Sequence, residues 1–199
     1  MAKASTQLQP LRVLLVCTGN ICRSPLAEQL LQQMSDAKGV SIAAFSAGTF
    51  AEVGNAMHPK SVQSMVELGF EPREHIAQQL TPELLDRADL VLSATQEHRS
   101  RVAQTNAEAI KKSFTITEFA RVGQFLNGNP ESIDASVLAE AVSPLQKVEL
   151  ASRYRGYAPP ALESDDIDDP WGRDYAQYQR VAKEIQESLM QITNWWGPA

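Results

Sequence analysis

The chain has 199 residues, 43% of them hydrophobic, and a formal net charge of −6 at pH 7. That length suffices for one substantial core, the acidic balance excludes broad attraction to nucleic acid, and no run approaches the length of apolar sequence that a membrane span needs. The only two cysteines share one loop, which excludes a structural disulfide framework; with no secretion signal at the start, they predict a cytoplasmic protein that makes no membrane contact.

Residues 1–10 read as a flexible polar tail and 11–199 as one domain. Leu11–Val16 is a buried strand, apolar except for Arg12. Pro25 opens a helix whose Leu26, Leu30, Leu31 and Met34 share one face, and Gly39 ends it. Val40–Phe45 is the second strand, closed by Ser46-Ala47-Gly48-Thr49. After a loop containing Gly54, Pro59 starts a second helix with Val62, Met65, Val66 and Leu68 facing inward and Gly69 at its end. Thr81-Pro82-Glu83 caps a short helix. Leu90–Ser93 is a third strand, Gln96–Ala109 a helix, Phe114–Ile116 a fourth strand and Glu118–Leu126 another helix. Strands alternating with helices predict an α/β fold with a mostly parallel sheet. Beyond Gly128, Ser132–Ala151 reads as a helix of mixed periodicity, Gly156–Pro160 breaks structure, and Glu163–Asp169 is an acidic loop. Tyr175, Tyr178, Val181, Ile185, Leu189 and Ile192 then trace an amphipathic helix. Trp195 and Trp196 at its end are expected to pack on the domain or on a partner.

The first strand runs into Cys17, and Arg23-Ser24-Pro25 opens the helix that follows. A short loop between a strand and a helix turns backbone N–H groups inward on one anion, and the helix end adds positive potential. Helix termini and a nearby arginine also favour the thiolate, so Cys17 is expected to be ionised near neutral pH. In parallel sheets the ligand crevice lies beyond the carboxyl ends of the strands, where Cys17 falls. A thiolate beneath a bound oxyanion suits attack on phosphorus. A dinucleotide loop is excluded, because only Gly19 lies in the turn. His58 and His98 are not spaced with cysteines or carboxylates as metal ligands, so no metal and no cofactor are expected, and both read as surface or helix-terminal residues.

Cys17-Thr18-Gly19-Asn20-Ile21-Cys22-Arg23-Ser24-Pro25-Leu26-Ala27-Glu28 closely resembles the signature of the low-molecular-weight protein tyrosine phosphatases. Ser46-Ala47-Gly48-Thr49, Ala88-Asp89-Leu90-Val91-Leu92 and Asp168-Asp169-Pro170-Trp171-Gly172 follow in family order. The resemblance implies a three-layer sandwich around a four-stranded parallel sheet, with the phosphate-binding loop after the first strand, and a two-step hydrolysis. Cys17 would attack phosphorus, Arg23 would clamp the equatorial oxygens through its fork, and the backbone from Thr18 through Gly19, Asn20, Ile21 and Cys22 to Arg23 would complete the cradle. Ser24 would donate to the sulfur, and Asn20 would hold a left-handed turn. Asp169 matches the general acid, stiffened by Pro170, and Trp171 an aromatic border of the pocket. Asp165, Asp166 and Asp168 are expected to be solvated. Cys22 is a candidate resolving thiol for an oxidised Cys17.

The chain departs from the family in the length of its segment at about 128–165, which contains Ser152-Arg153-Tyr154-Arg155-Gly156-Tyr157, and in carrying Trp171-Gly172 where many eukaryotic relatives have paired tyrosines. The leading substrate is a phosphotyrosine-containing protein, with inorganic phosphate as product and competitive ligand. Ile21 supports that choice, since the family's protein-arginine phosphatases have threonine there and an apolar branched side chain suits a phenyl ring. The alternatives are a protein-arginine phosphatase, an arsenate reductase that uses an external thiol, and a phosphate-dependent binding protein without turnover.

Overall fold

The computed structural model describes residues 9–128, 141, 143–161 and 164–197. Four strands, β1 (Leu11–Cys17), β2 (Ile42–Gly48), β3 (Leu90–Ser93) and β4 (Ser113–Thr115), form one sheet of order β2-β1-β3-β4 with every pairing parallel. Parallel neighbours require crossovers, and helices supply them: α1 (Arg23–Ala37), α2 (Pro59–Glu67), α3 (Pro82–Arg87) and α4 (Gln96–Thr105). Helix α5 (Ile116–Gly128) leaves β4 directly, α6 spans Pro144–Tyr154, and α7 spans Tyr175–Trp196. Among the described residues no helix is long and apolar enough to cross a membrane.

Alternation along β1 makes the layers. Leu11, Val13 and Leu15 point into a core shared with α1, α5 and α7, while Leu14 and Val16 enter a smaller core under α3 and α4. With both faces covered, β1 reads as a continuous apolar run. Trp195 and Trp196 pack on the chain itself, their rings 5.8 and 5.9 Å from that of Phe119. Gly123 makes this close approach possible, since a Cβ there would lie 2.7 Å from Trp195.

Several boundaries differ from the sequence reading for local reasons. Cys17 still belongs to β1, and α1 begins at Arg23 instead of Pro25. The second strand lies later, at Ile42–Gly48, because its pairing with β1 carries it through Ser46 and Ala47. Helix α4 stops at Thr105, where Asn106 caps a separate 3-10 turn over Ala107–Lys112. The fourth strand is Ser113–Thr115, and Ile116 already opens α5. On α2 Val66 is exposed, and Ser61, Ser64 and Met65 form the buried face. Of the expected helix at 132–151, residues 132–140 and 142 lie outside those described, as do residues 1–8 of the expected tail; the described helix starts at Pro144 behind a Ser143–Gln146 capping box.

Candidate active site

Strand β1 delivers Cys17 to the carboxyl end of the sheet, and Arg23 starts α1 six residues later. The loop between them is turned inside out by its neighbours. The carbonyls of Cys17, Thr18 and Gly19 accept from the N–H groups of Thr49, Phe50 and Glu52 at 2.9, 3.0 and 2.9 Å. The Asn20 carbonyl accepts from His75 Nε2 at 2.7 Å, and the Ile21 carbonyl from His58 N at 2.7 Å. Five successive carbonyls thus point outward, and the N–H groups of Thr18 to Cys22 have no partner among the described residues. No side chain caps α1. The result is an uncapped helix start and a ring of free donors above one sulfur, which is an anion cradle. Gly48 admits the loop, since a Cβ there would lie 2.3 Å from the Thr18 carbonyl oxygen.

Asn20 is the keystone. It is fully buried and holds φ at +56°, a left-handed conformation that asparagine tolerates. Its Nδ2 donates to Ser24 Oγ at 2.9 Å and to Ser46 Oγ at 2.8 Å, and its Oδ1 accepts from Gln78 N at 2.9 Å. Because Ser24 Oγ accepts from Asn20, its own proton is free for Cys17 Sγ, 3.0 Å away. Ser46 passes its proton to Glu28 Oε2 at 2.5 Å, and burial pushes that carboxyl up.

His98 is helix-terminal, in the first turn of α4, but it is not at the surface. It is buried, and burial lowers its pKa to about 4, so the ring is neutral at pH 7. Thr95 Oγ1 accepts from the His98 N–H at 3.2 Å and lies 2.7 Å from Nδ1. A hydroxyl has one proton and two lone pairs, so with one lone pair used by the cap Thr95 still serves Nδ1 of either ring tautomer. On the other side of the ring Nε2 lies 2.8 Å from Thr18 Oγ1, so the neutral imidazole links Thr95 to the cradle.

The acid loop closes the site from above. Arg23 Nη1 donates to the Ile167 carbonyl at 3.0 Å and Nη2 to Asp169 Oδ2 at 2.7 Å, while Nε is buried with no partner among the described residues. The Asp169 side chain is half exposed, and its Oδ1 accepts from Trp171 N at 3.1 Å. Asp165, Asp166 and Asp168, expected to be solvated, are each engaged: Asp165 with Arg121, Asp166 with the Gln96 N–H at the start of α4, and Asp168 with Arg180. Asp166 and Asp168 stay solvent-exposed as expected, whereas Asp165 is largely buried against α5.

A cavity of about 190 Å³ results, lined by Cys17, Thr18, Gly19, Ile21, Cys22, Arg23 and Asp169, with Phe50, Glu52 and Trp171 at its mouth. Of the residues expected at the site, Asn20 and Ser24 alone lie beneath this cavity instead of lining it. The Cys22 Sγ lies 4.0 Å from Tyr178 Oη, and burial pushes its thiol up to about 11. Sequence reasoning missed His75, Gln78, Phe50 and Glu52, which act through single long-range contacts, and gave His58 no role. His58 does fall at a helix start, as N-cap of α2.

A cysteine sulfur under a main-chain anion cradle, with an arginine paired to a carboxylate across the cavity, is the layout of a cysteine-dependent phosphohydrolase. The chain belongs to the low molecular weight phosphotyrosine protein phosphatase family, whose model matches residues 12–127. It is 36% identical over 107 residues to the protein-arginine-phosphatase of Bacillus subtilis (54% of this chain, 71% of that one). It is 34% identical over 135 residues to the probable low molecular weight protein-tyrosine-phosphatase EpsP of Ralstonia solanacearum (68% of this chain, 88% of that one). Among solved structures, the low molecular weight protein tyrosine phosphatase of T. tengcongensis superposes with a TM-score of 0.68 at 29% identity, covering 92% of this chain and 98% of that one. The YwlE arginine phosphatase of Geobacillus stearothermophilus superposes with a TM-score of 0.65 at 27% identity, covering 93% and 92%.

Proposed function

We propose that this protein hydrolyses phosphotyrosine on proteins through a cysteinyl-phosphate intermediate. In the first step Cys17 Sγ attacks phosphorus in line, the P–O bond breaks, and the Asp169 carboxylic acid protonates the departing oxygen. In the second, water attacks phosphorus, Asp169 takes its proton, and the S–P bond breaks while Ser24 donates to the leaving sulfur. The free N–H groups of the loop and Arg23 Nε hold the equatorial charge through both steps. Arg23 must shift its fork from the acid loop toward the phosphoryl oxygens as substrate enters.

Ile21 carries the choice of tyrosine. Cys17 is only 2% exposed, so a phosphorylated side chain has to be long to reach it, and phosphoserine is too short. Ile21 gives the cavity an apolar wall, and Phe50 and Trp171, 66% and 60% exposed, stand at the mouth as surfaces for a flat ring. Two observations favour a second reading, phosphoarginine. Relatives named as arginine phosphatases match this chain as well as those named for tyrosine. Glu52 also puts a carboxylate at the mouth, where a guanidinium would find a counter-charge. A kinetic panel of phosphotyrosine, phosphoarginine and phosphoserine peptides separates the readings. The expected order in kcat/KM is tyrosine first, with Ile21→Thr raising arginine relative to tyrosine. A wild-type preference for phosphoarginine that Glu52→Gln removes would reverse the assignment. Arsenate with small thiols belongs in the same panel: sustained arsenate reduction without phosphatase turnover would replace both readings.

The redox role of Cys22 is proposed with a kinetic constraint. Peroxide converts Cys17 to a sulfenic acid, Cys22 displaces water from it, and a disulfide forms. Since the Cys22 thiol is pushed up to about 11, its thiolate is scarce at pH 7. Trapping should therefore be slow at neutral pH and accelerate roughly tenfold per pH unit toward that value. Mass spectrometry after a peroxide pulse reads this; a disulfide yield independent of pH between 7 and 9, or none at all, removes the role. Two unpaired cysteines also fit the cytoplasm as the place of action.

A further inference from the structure

The long segment before the acid loop is not used by the chemistry above. Its described part is α6, a 3-10 turn at Arg155–Tyr157, and the return through Pro159. It is pinned to α5 at two places one turn apart. Arg155 lies 4.1 Å over the Phe114 ring and donates Nε and Nη2 to the two carboxylate oxygens of Glu118, each at 2.5 Å. Three residues further along α5, Arg121 donates Nη1 to the Pro159 carbonyl, Nη2 to Asp165 Oδ2 at 2.6 Å and Nε to Asp165 Oδ1 at 3.3 Å. Thr117 Oγ1 donates to the Asp165 carbonyl at 2.6 Å. The Arg121 and Asp165 side chains are only 25% and 15% exposed, so this is not one of the solvated surface pairs that contribute little.

From Asp165 the loop runs straight to the chemistry. Asp166 caps the Gln96 N–H at 2.7 Å, Ile167 N donates to the Ala94 carbonyl at 2.9 Å, and the Ile167 carbonyl and Asp169 carboxylate both meet Arg23. Asp165 is the point at which the loop leaves α5, and one guanidinium fixes that point to the end of the long segment.

We propose that Arg121 is a positioning residue for Asp169. Its bidentate grip on Asp165 sets where the acid loop crosses the cradle, and the long segment supplies, through Pro159, the second acceptor that holds the guanidinium in plane. This rests on reading Asp169 as the general acid. A carboxyl group displaced by a fraction of an ångström from the leaving oxygen loses proton transfer but leaves attack by Cys17 intact.

The test uses the full chain with Arg121→Gln, Arg121→Lys, Asp165→Asn, the Arg121→Gln/Asp165→Asn double variant, and Asp169→Asn for comparison. The burst rate of Cys17 phosphorylation is measured with phenyl phosphate and with an activated dinitrophenyl phosphate. Arg121→Gln and Asp165→Asn should each slow the phenyl ester about 10-fold or more and the activated ester by no more than about 2-fold. The double variant should be no worse than either single one, since both break one interaction. Arg121→Lys should recover part of the loss. Amide hydrogen exchange should quicken at 164–169 in the same variants. Equal losses on the two esters, additive losses in the double variant, or unchanged exchange in the loop would overturn the proposal. If Asp169→Asn shows leaving-group dependence and Arg121→Gln does not, Arg121 alone loses its role. If Asp169→Asn shows none, the acid assignment falls and this proposal falls with it.

Discussion

Cys17→Ser is expected to lose turnover by about 10⁴-fold or more while the protein stays folded and still binds inorganic phosphate. The reason lies in how the site is divided. On the proposed mechanism, anion binding belongs to the N–H groups of Thr18 to Cys22 and to Arg23, none of which the substitution touches. The nucleophile belongs to one sulfur, and a serine hydroxyl stays protonated in its place. Ser24 Oγ, 3.0 Å from that sulfur, can still hydrogen-bond the new hydroxyl, so the loop keeps its shape. Calorimetric titration with phosphate, run beside steady-state hydrolysis of an aryl phosphate, checks both halves. Turnover near the wild-type rate would rule out the cysteinyl-phosphate pathway, and lost phosphate binding would mean that the cradle depends on the thiolate. Arg23→Lys should fail in the complementary way. A lysine cannot make the fork that spans the Ile167 carbonyl and Asp169, so it weakens phosphate binding as well as turnover.

Asp169→Asn is the second large effect. Asparagine keeps an oxygen for Arg23 Nη2 and for the Trp171 N–H, so the loop position should survive while the transferable proton is lost. Hydrolysis of an ester with a poor leaving group is expected to fall by roughly 10²–10⁴-fold. An activated leaving group should be spared in the burst that phosphorylates Cys17, and its steady state should then be limited by slow attack of unassisted water on the cysteinyl phosphate. Rapid-quench measurement of the intermediate separates the steps: it should accumulate with the activated ester and not with the poor one. Small, equal changes in both steps would remove Asp169 from the mechanism and turn attention to Asp168, whose carboxylate pairs with Arg180 beside it.

The parts of this site that lie within one stretch of chain were legible before any coordinates. A strand, a tight loop and a helix start leave marks in the sequence, so Cys17 and Arg23 stand out from the residues themselves, the family resemblance adds Ser24 and the left-handed Asn20, and alternation of elements points to the parallel sheet. The outer side of the loop was not legible. Its carbonyls are tied by the main chain of Thr49, Phe50 and Glu52, and a backbone donor carries no residue signature. His75 and Gln78 each reach the loop by one contact from a segment without regular periodicity. His98 looks like any polar residue in the first turn of a helix, and its burial depends on the packing of α4 against the loop. The acid loop shows the same limit from the other side. Asp165, Asp166 and Asp168 read as solvated charge, yet Asp165 and Asp166 are matched to Arg121 and to the Gln96 N–H, tens of residues away in sequence, and Asp168 to Arg180.

Outward-turned carbonyls also bear on how such a protein changes over generations. The cradle is built from main chain, so the identity of the side chains at Thr18, Gly19 and Ile21 is decoupled from the ability to hold a phosphoryl group, provided that Asn20 and Gly48 keep the loop seated. Reaction chemistry and substrate choice are therefore separate inheritances written into the same six-residue turn. On the proposed mechanism, a single exchange at a wall position is expected to redirect the enzyme from one phosphorylated side chain to another without passing through an inactive ancestor. Relatives named for arginine and for tyrosine do lie at nearly the same distance from this chain, at 36% and 34% identity.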